Sequence, residues 1–435
     1  MRVWVDTLLR GGEVHRRVLL EADETGTVVA EHTGSDRPTD ALALGVASAG
    51  FANGHSHAFH RVLRGRTHVS GSFWTWRELM YRAAGRLTPD RYRDLATLVF
   101  AEMVTAGWTS VGEFHYVHHR PDGTAYPAHA MELALVDAAE TAGIRLVLLD
   151  TCYLAGGIGQ PLGPEQRRFA DAGVHAWLDR WHDLQALIAQ RSPRVTLGAA
   201  LHSVRAVPRE ALSVVNDALP GTVPLHIHLS EQTAENEDSL AHYGLTPTGL
   251  LEAEGVLSPR LSVVHATHLS PADIAALGRA GATAVFCPTT EADLGDGIGP
   301  ARELADAGVV LAVGSDQNAI VDPWLELRGL EAGERLRSRT RGRIDPVELW
   351  RIGSDGGHRA LGLPEPARVG GPLDLVEVDP RSVRTAGSAA MQMPLSATAS
   401  DVRRVVVGGA QVAHDPVELG AALDRSITEL FEEDV

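Results

Sequence analysis

The chain has 435 residues, 44% of them hydrophobic and 22% charged, so it can bury a large core and does not have the composition of a disordered chain. Its formal net charge of −17 repels nucleic acid and anionic membranes. All 39 basic residues are arginine, because the sequence contains no lysine. The lack of lysine excludes Schiff-base chemistry, anchoring of pyridoxal phosphate and metal sites bridged by a carbamylated lysine.

The start of the chain and its cysteine content predict a cytoplasmic protein. Two cysteines, Cys152 and Cys287, are too few for a disulfide framework. The first residues contain no apolar core followed by a small-residue cleavage site, so we expect no secretory signal. The uncharged stretch 41–53 is too short to span a bilayer. We therefore expect neither a membrane nor a nucleic-acid partner.

Short β-like runs separated by turn residues lie at both ends of the chain. They cover residues 3–9, 14–20, 26–31, 373–378, 402–407 and 411–414. Runs at the two termini can pair with each other, so we expect residues 1–48 and 366–435 to form one small, sandwich-like β lobe.

Between the termini, apolar strand-like runs alternate with segments of helical period. The predicted strands are 47–52, 110–116, 145–153, 195–201, 223–229, 261–266, 283–287 and 309–314. The predicted helices are 90–106, 128–142, 165–190, 209–218, 246–254, 271–280, 301–307 and 323–339. Most of these strands are apolar without alternation, as strands covered on both faces are. Eight such units predict an α/β fold, a (β/α)₈ barrel, over residues 49–365.

Polar residues gather where the predicted strands end, the edge at which a barrel of this kind carries its active site. They occupy 53–57, 113–116, 202–205, 226–231, 265–268 and 314–316. His55 and His57 are two residues apart, which points both side chains to the same face of a strand. Imidazole is the usual zinc ligand, and His228 and Asp316 could complete a shell of three histidines and one carboxylate.

The pattern His55-x-His57, His228-x-x-Glu231, His265 and Ser315-Asp316 resembles the amidohydrolase superfamily, in its subset with one metal ion. Segments 73–82, 113–119 and 287–297 are similar to the branch of that superfamily that hydrolyses N-formimidoyl-L-glutamate to N-formyl-L-glutamate and ammonia in histidine breakdown. The resemblance covers about residues 53–339, nearly the whole barrel.

The resemblance implies a role for each matching position. It implies a divalent ion, with zinc expected first, and a catalytic group of Glu231, His265 and Asp316. The implied metal ligands are His55, His57, His228 and Asp316, and the implied substrate-binding residues are His60, Arg77, Tyr116, His202 and Arg205. His60 stands where the family usually has glutamine, which puts the detail of that substrate contact in question.

An acidic substrate requires cationic side chains in the site. A dicarboxylate that enters a protein of net charge −17 needs local cations, and arginine binds carboxylates through two parallel hydrogen bonds. The resemblance implies that Arg77 and Arg205, with Tyr116 and His202, hold the glutamate carboxylates, and Arg205 also lies four residues past a predicted barrel strand.

Two other functions stay open. One is another mononuclear amidohydrolase that deaminates a purine, pyrimidine or triazine ring, and the other is a non-catalytic metabolite-binding barrel. Glu231 argues against the second, since binding alone does not need it. Three histidines and an aspartate also accept Fe, Mn or Co. A homodimer is the default expectation for a soluble enzyme.

Overall fold

A computed structural model describes residues 1–67 and 73–431 of the chain. Fifteen strands lie in these ranges: β1 (Arg2–Arg10), β2 (Glu13–Ala22), β3 (Val28–His32), β4 (Leu42–Ala49), β5 (Phe51–Ser56), β6 (Trp108–His115), β7 (Arg145–Cys152), β8 (Val195–Leu201), β9 (Leu225–Leu229), β10 (Leu261–His265), β11 (Thr283–Phe286), β12 (Val310–Val313), β13 (Leu375–Val378), β14 (Val402–Val407) and β15 (Ala410–Val412).

Helices separate most of the barrel strands. Those in the described ranges are α1 (Phe73–Arg86), α2 (Pro89–Ala106), α3 (Ala130–Ala142), α4 (Val174–Ile188), α5 (Arg209–Ala218), α6 (Thr233–Tyr243), α7 (Pro247–Ala253), α8 (Pro271–Ala280), α9 (Pro288–Leu294), α10 (Ala301–Asp306), α11 (Pro323–Ser338), α12 (Pro346–Arg351), α13 (Gly357–Ala360) and α14 (Pro416–Phe431). Shorter helical turns lie at Ala58–Leu63, Pro127–His129, Pro164–Phe169, Ile352–Gly356, Ala390–Leu395 and Ala399–Asp401.

The strands form two sheets. Strands β5 to β12 make a parallel eight-stranded sheet in chain order, and the termini make a seven-stranded sheet in the order β15-β14-β13-β4-β1-β2-β3. The predicted (β/α)₈ barrel and the separate terminal sheet are therefore both confirmed. The domain boundaries at 1–48, 49–365 and 366–435 stay predictions.

Local sequence signals account for several element ends. Helix α8 begins after Ser270, whose hydroxyl accepts from the backbone N–H of Asp273 while the Asp273 carboxylate accepts from the Ser270 N–H. This reciprocal pair satisfies two donors that the first helical turn leaves unpaired. The helix ends at Gly281, whose φ of 65° suits glycine. The predicted bounds 271–280 are confirmed there.

The barrel closes through a short contact between its first and last strands. Ser56 and Asp316 form an isolated parallel bridge, and the His55 carbonyl accepts the N–H groups of Ser315 and Asp316 at 3.0 and 2.9 Å. Gly314 permits this approach, because a Cβ there would lie 2.7 Å from the His55 carbonyl oxygen. Two candidate metal-ligand segments are thus joined by the hydrogen bonds that close the barrel.

Several predicted elements differ from the observed ones. The run 47–52 is two strands, β4 and β5, which belong to different sheets and are separated at Gly50. The predicted helix 165–190 is a 3₁₀ turn at Pro164–Phe169 followed by α4, with Gly173 at the α4 N-cap. Helices α1, α6, α9, α12, α13 and α14 were not among the predicted elements. Apolar periodicity did not detect these six helices.

The C-terminal helix α14 packs against the barrel. Its Leu423, Ile427 and Leu430 are buried in the same apolar core as residues of α2, and the Leu430 carbonyl accepts from Arg86 Nη1 at 2.8 Å. The terminal sheet has a further core of its own around Val5, Leu20 and others. None of the described helices combines the length and the apolar content that a membrane crossing requires.

The junction at Gly50 generates a prediction about stability. A Cβ at Gly50 would clash with Thr109 and lie 2.9 Å from the Asp374 Cβ, whereas one at Gly45 on β4 meets only Glu377 Oε1 at 3.4 Å. We expect Gly50→Ala to lower the free energy of unfolding by about 1 to 3 kcal/mol in a urea titration, the usual cost of overpacking. Gly45→Ala is the matched control. Equal stabilities for the two variants would contradict a tight junction.

Candidate active site

The structure brings together every residue that the sequence singled out for the site. A cavity of about 450 Å³ lies at the C-terminal ends of the barrel strands. It is lined by His57, His60, Arg77, Tyr116, His202, Arg205, His228, Glu231, His265 and Asp316, among others. His55 is fully buried behind this surface, with its Nε2 atom 3.2 Å from that of His228. The positions agree with the predicted set, while the individual roles stay predictions.

Four ligand-type atoms converge on one point at the base of the cavity. The Nε2 atoms of His57 and His228 are 3.3 Å apart. Asp316 Oδ1 lies 3.2 Å from His55 Nε2 and 3.5 Å from His57 Nε2. Tetrahedral bonds of about 2.0 to 2.1 Å to zinc place ligand atoms about 3.3 to 3.4 Å apart. These four spacings within the tetrad, defined as His55, His57, His228 and Asp316, fit one divalent ion, and His265 lies close enough to His55, His228 and Asp316 to be a further candidate ligand.

The hydrogen bonds of His57 and His228 strengthen this fit. Nδ1 of His57 lies 2.8 Å from the Phe114 carbonyl, and Nδ1 of His228 lies 2.9 Å from the His202 carbonyl. A carbonyl only accepts, so each Nδ1 carries the hydrogen and each Nε2 of the neutral ring has a bare lone pair. Burial, and then His55, lower the pKa of His57 to about 3. A divalent ion between them would stabilise two lone pairs that face each other at 3.3 Å.

A buried amide network holds the two ligand segments in register. The Asn53 amide donates to Ser315 Oγ at 2.7 Å and accepts from the Ser315 N–H at 3.0 Å. Asn318 Oδ1 accepts from the same hydroxyl at 2.7 Å, and its Nδ2 donates to the carbonyls of His57 and Asp316 at 3.0 and 3.2 Å. This network braces β5 against the segment that follows β12.

Backbone strain marks the same edge of the barrel. Ser230, His265, Ala266, Asp316 and Asn318 all have φ between 43° and 69°, a region that residues other than glycine rarely adopt. Such strain persists only where the surrounding structure enforces it, and it concentrates at functional sites. The sequence pattern gave no sign of it.

Glu231, His265 and Arg205 form a charged group beside the tetrad. Glu231 Oε1 lies 3.9 Å from His265 Nε2, and Glu231 Oε2 lies 3.5 Å from Arg205 Nη2. Burial opposes a charge on His265, but the carboxylates of Glu231, Glu291 and Asp316 raise its pKa to about 10. Glu231 precedes α6, and the acid in the first turn of that helix is Glu235. A role as a helix first-turn acid therefore does not account for Glu231.

The arginines have partners within the chain. Arg77 Nε and Nη2 donate to the Tyr81 hydroxyl at 2.9 and 2.8 Å. Arg205 Nε faces Glu235 Oε2 at 3.4 Å, and burial raises the pKa of Glu235 to about 7 although Arg205 opposes that shift. Each guanidinium thus presents its Nε edge to a group of the protein.

Several cavity residues were missed in the sequence. Trp76, Tyr81, Tyr153, Gln166 and Phe169 also line the cavity. Tyr81 would have been found had α1 been predicted, because a residue four positions after Arg77 lies beside it on a helix. Tyr153 and Gln166 lie on the segment after β7, whose path no local pattern indicates. Trp76 donates from Nε1 to Gln317 Oε1 at 2.9 Å.

A second buried histidine–carboxylate group, His115, His118 and Glu132, is held by the protein itself. His118 Nδ1 lies 2.8 Å from Glu132 Oε1, and its Nε2 donates to the Thr151 carbonyl at 2.9 Å. Arg180 donates to the same Glu132 oxygen at 3.2 Å. A guanidinium at that distance disfavours a metal ion.

Cys287 is fully buried, as expected for a small apolar residue.

Comparisons with known proteins give the following matches. Residues 46–412 match the amidohydrolase family. A formimidoylglutamate deiminase from Pseudomonas aeruginosa is 40% identical over 389 residues, 85% of each chain. A 5-methylthioadenosine/S-adenosylhomocysteine deaminase from Syntrophobacter fumaroxidans is 28% identical, over 89% of this chain and 85% of its own. The crystal structure of an amidohydrolase from Brucella melitensis superposes with a TM-score of 0.92 at 31% identity, over 99% of both chains.

The amide network leads to a prediction for Asn318→Asp. This change keeps an acceptor for Ser315 but removes the donor to the carbonyls of His57 and Asp316. Losing a buried hydrogen-bond partner costs about 1 to 3 kcal/mol, so we expect urea unfolding of the chelator-treated protein at lower concentration. Asn216→Asp, on α5, is the control because its amide bonds Asp217 and the Gly255 carbonyl at exposed positions. A midpoint unchanged from the parent would show that the network does not support the fold.

Proposed function

Because this chain belongs to the amidohydrolase family, we propose that it is a metal-dependent hydrolase of N-formimidoyl-L-glutamate. The reaction adds water to the amidine carbon and yields N-formyl-L-glutamate and ammonia, a step of histidine breakdown. The observation that carries the proposal is one cavity that holds both a metal-type tetrad and two arginines. The name of the 40% identical relative supports the same substrate.

We propose that His55, His57, His228 and Asp316 hold one divalent ion, with zinc as the first expectation. Their spacing and the bare Nε2 lone pairs support this assignment. When bound, such an ion lowers the pKa of a water ligand towards about 7 and so supplies hydroxide at neutral pH.

The remaining steps fall to side chains of this protein. We assign to Asp316 the removal of a proton from the attacking water. Glu231 delivers a proton to the imino nitrogen of the substrate, takes the hydroxyl proton of the tetrahedral intermediate in exchange and delivers that proton to the departing ammonia. The proton held by Asp316 then returns Glu231 to its starting state. His265 donates a hydrogen bond to the tetrahedral intermediate, a role for which its contacts with Glu231 and Glu291 support the protonated ring. The C–N bond to ammonia breaks, and the oxygen of water stays on the formyl carbon.

We further propose that the glutamate part of the substrate lies against Arg77, Arg205, Tyr116, His202 and His60. These residues share the cavity with Glu231, and His60 Nε2 lies 2.8 Å from the Tyr116 hydroxyl. Burial holds the pKa of His60 well below its usual range, so the ring is neutral and can take the place of a glutamine amide as a hydrogen-bonding group.

The second candidate is deamination of a purine or related ring. It is favoured by the adenosine-type deaminase that is 28% identical to this chain. A ring deaminase needs groups that read base edges, whereas this cavity presents two arginines to an acidic ligand. A non-catalytic barrel has no use for Glu231. A cytoplasmic location and a homodimer remain predictions.

Ammonia release tests the function directly. We expect rapid release from N-formimidoyl-L-glutamate and none above background from guanine or cytosine, assayed in parallel with the same preparation. Chelator-treated protein serves as the control, and added zinc should restore its activity because the tetrad is then filled. Release from a ring substrate but not from the amidine would establish the second candidate.

Glu231→Gln tests the proton-transfer assignment. We expect kcat to fall about 10²- to 10⁴-fold, the usual contribution of a placed acid–base group, while metal content measured by mass spectrometry stays at the parent level. Glu237→Gln, at an exposed position on α6, is the matched control. A proportional loss of metal and rate in Glu231→Gln would make Glu231 a structural residue.

A further inference from the structure

Two tyrosines in the cavity wall have no role in the mechanism above. Tyr81 lies on α1, and Tyr153 follows β7 directly. The ring of Phe169 is 6.1 Å from the ring of Tyr81 and 5.7 Å from that of Tyr153, measured between centroids. Both tyrosines line the cavity that holds Arg77 and Arg205.

The hydrogen bonds around Gln166 fix the direction of the Tyr153 hydroxyl. Gln166 Oε1 accepts from the Gly163 N–H at 2.7 Å, which settles the orientation of the amide. Gln166 Nε2 must then donate to the Tyr153 oxygen, which lies 2.8 Å away. Because the oxygen is the acceptor in this contact, the hydroxyl hydrogen is left to donate elsewhere.

Arg77 fixes the Tyr81 hydroxyl in the same way. A guanidinium has only donors, so both of its contacts with Tyr81 use the phenol oxygen as the acceptor. The hydroxyl hydrogen of Tyr81 must therefore point away from Arg77. Among the side chains that the structure describes, neither tyrosine hydroxyl donates a hydrogen bond to another group of the protein.

The Tyr153 hydroxyl keeps its hydrogen at neutral pH. Burial, and then the nearby Tyr81, raise the pKa of Tyr153 to about 12, and Arg205 and Arg77 only partly oppose that shift. A donor of this kind needs an acceptor that the ligand brings. A carboxylate oxygen is the strongest acceptor in the proposed substrate, and bonds from neutral donors to a charged acceptor are among the stronger ones.

We propose that the Tyr81 and Tyr153 hydroxyls donate hydrogen bonds to a carboxylate of the substrate and so select for acidic amidines. Arg77 and Gln166 act as positioning residues, since each occupies the phenol oxygen and turns the hydrogen into the cavity. Arg77 thus contributes partly through Tyr81 and not only by direct contact with substrate. The identity of the ligand rests on the proposed function, whereas the direction of the two hydroxyls does not.

The test measures ligand binding apart from turnover. The probe is N-formyl-L-glutamate, titrated calorimetrically into zinc-loaded parent, Tyr81→Phe and Tyr153→Phe, with KM for N-formimidoyl-L-glutamate measured in parallel. Each variant should weaken Kd and raise KM about 10- to 100-fold, the effect of losing a hydrogen bond to a charged group, and change kcat little. Tyr243→Phe, at the end of α6 and outside the cavity lining, is the matched control.

Gln166→Met tests the positioning argument and also guards against unfolding as an explanation. It removes the donor to the Tyr153 oxygen while leaving the hydroxyl in place. We expect a weaker loss than in Tyr153→Phe, and no further loss when both changes are combined, because Gln166 acts on the ligand only through Tyr153. Thermal unfolding and zinc content of each variant should match the parent. Additive losses would overturn the assignment of Gln166.

The outcomes separate this inference from the proposed function. Turnover of formimidoylglutamate with Kd values unchanged in both phenylalanine variants would overturn the inference and leave the function standing. If the parent binds N-formyl-L-glutamate but does not turn over formimidoylglutamate, and the two phenylalanine variants bind the probe more weakly, the tyrosine donors are supported and the function is overturned. Neither turnover nor binding in the parent would overturn both.

Discussion

The contact between β5 and the segment after β12 is the constraint on which the site depends. A parallel barrel closes only when its first and last strands meet, and here they meet through the His55 carbonyl and the N–H groups of Ser315 and Asp316. Three of the four tetrad residues, His55, His57 and Asp316, belong to these two segments. Closing the barrel and assembling most of the tetrad are therefore the same physical event. Gly314 is required there because any side chain would hold the segments apart.

The buried polar groups at this contact satisfy one another. Asn53, Ser315 and Asn318 exchange hydrogen bonds across it. The amide groups of the two asparagines and the hydroxyl of Ser315 are therefore paired although they are buried. The positive φ angles of Asp316 and Asn318 are held by the same network. A rigid base of this kind keeps ligand atoms at fixed spacing before any ion arrives, which reduces the cost of ordering them on binding.

The barrel repeat supplies the tetrad and the acid–base residues, whereas part of the cavity wall lies outside that repeat. Ligand-type and acid–base residues lie at strand ends, where the repeating barrel geometry places them. Much of the remaining cavity wall comes from α1 and from the segment after β7, which are not part of that repeat. The tetrad presents neutral imidazoles and one carboxylate. The two arginines of the cavity lie outside the tetrad, Arg77 on α1 and Arg205 after β8, in a chain whose net charge is −17.

The sequence by itself determined the fold class and the metal-binding and acid–base residues at the strand ends, but not the tyrosines of the cavity wall. Uninterrupted apolar runs reveal strands covered on both faces, and side chains with metal-binding or acid–base chemistry at their ends are visible without any structure. It could not separate β4 from β5, because 47–52 reads as one apolar run and only the meeting of two sheets at Gly50 divides it.

Tertiary structure alone decided which edges of the functional side chains are available. The amide of Gln166 and the guanidinium of Arg77 set the direction of two phenol hydroxyls, and backbone carbonyls set the tautomers of His57 and His228. Arg77 lies one helical turn before Tyr81 on α1, whereas Gln166 and the two carbonyls come from segments more distant along the chain from the side chains they orient. Hydrogen-bond direction depends on the positions of both partners, and the order of residues along the chain does not contain those positions.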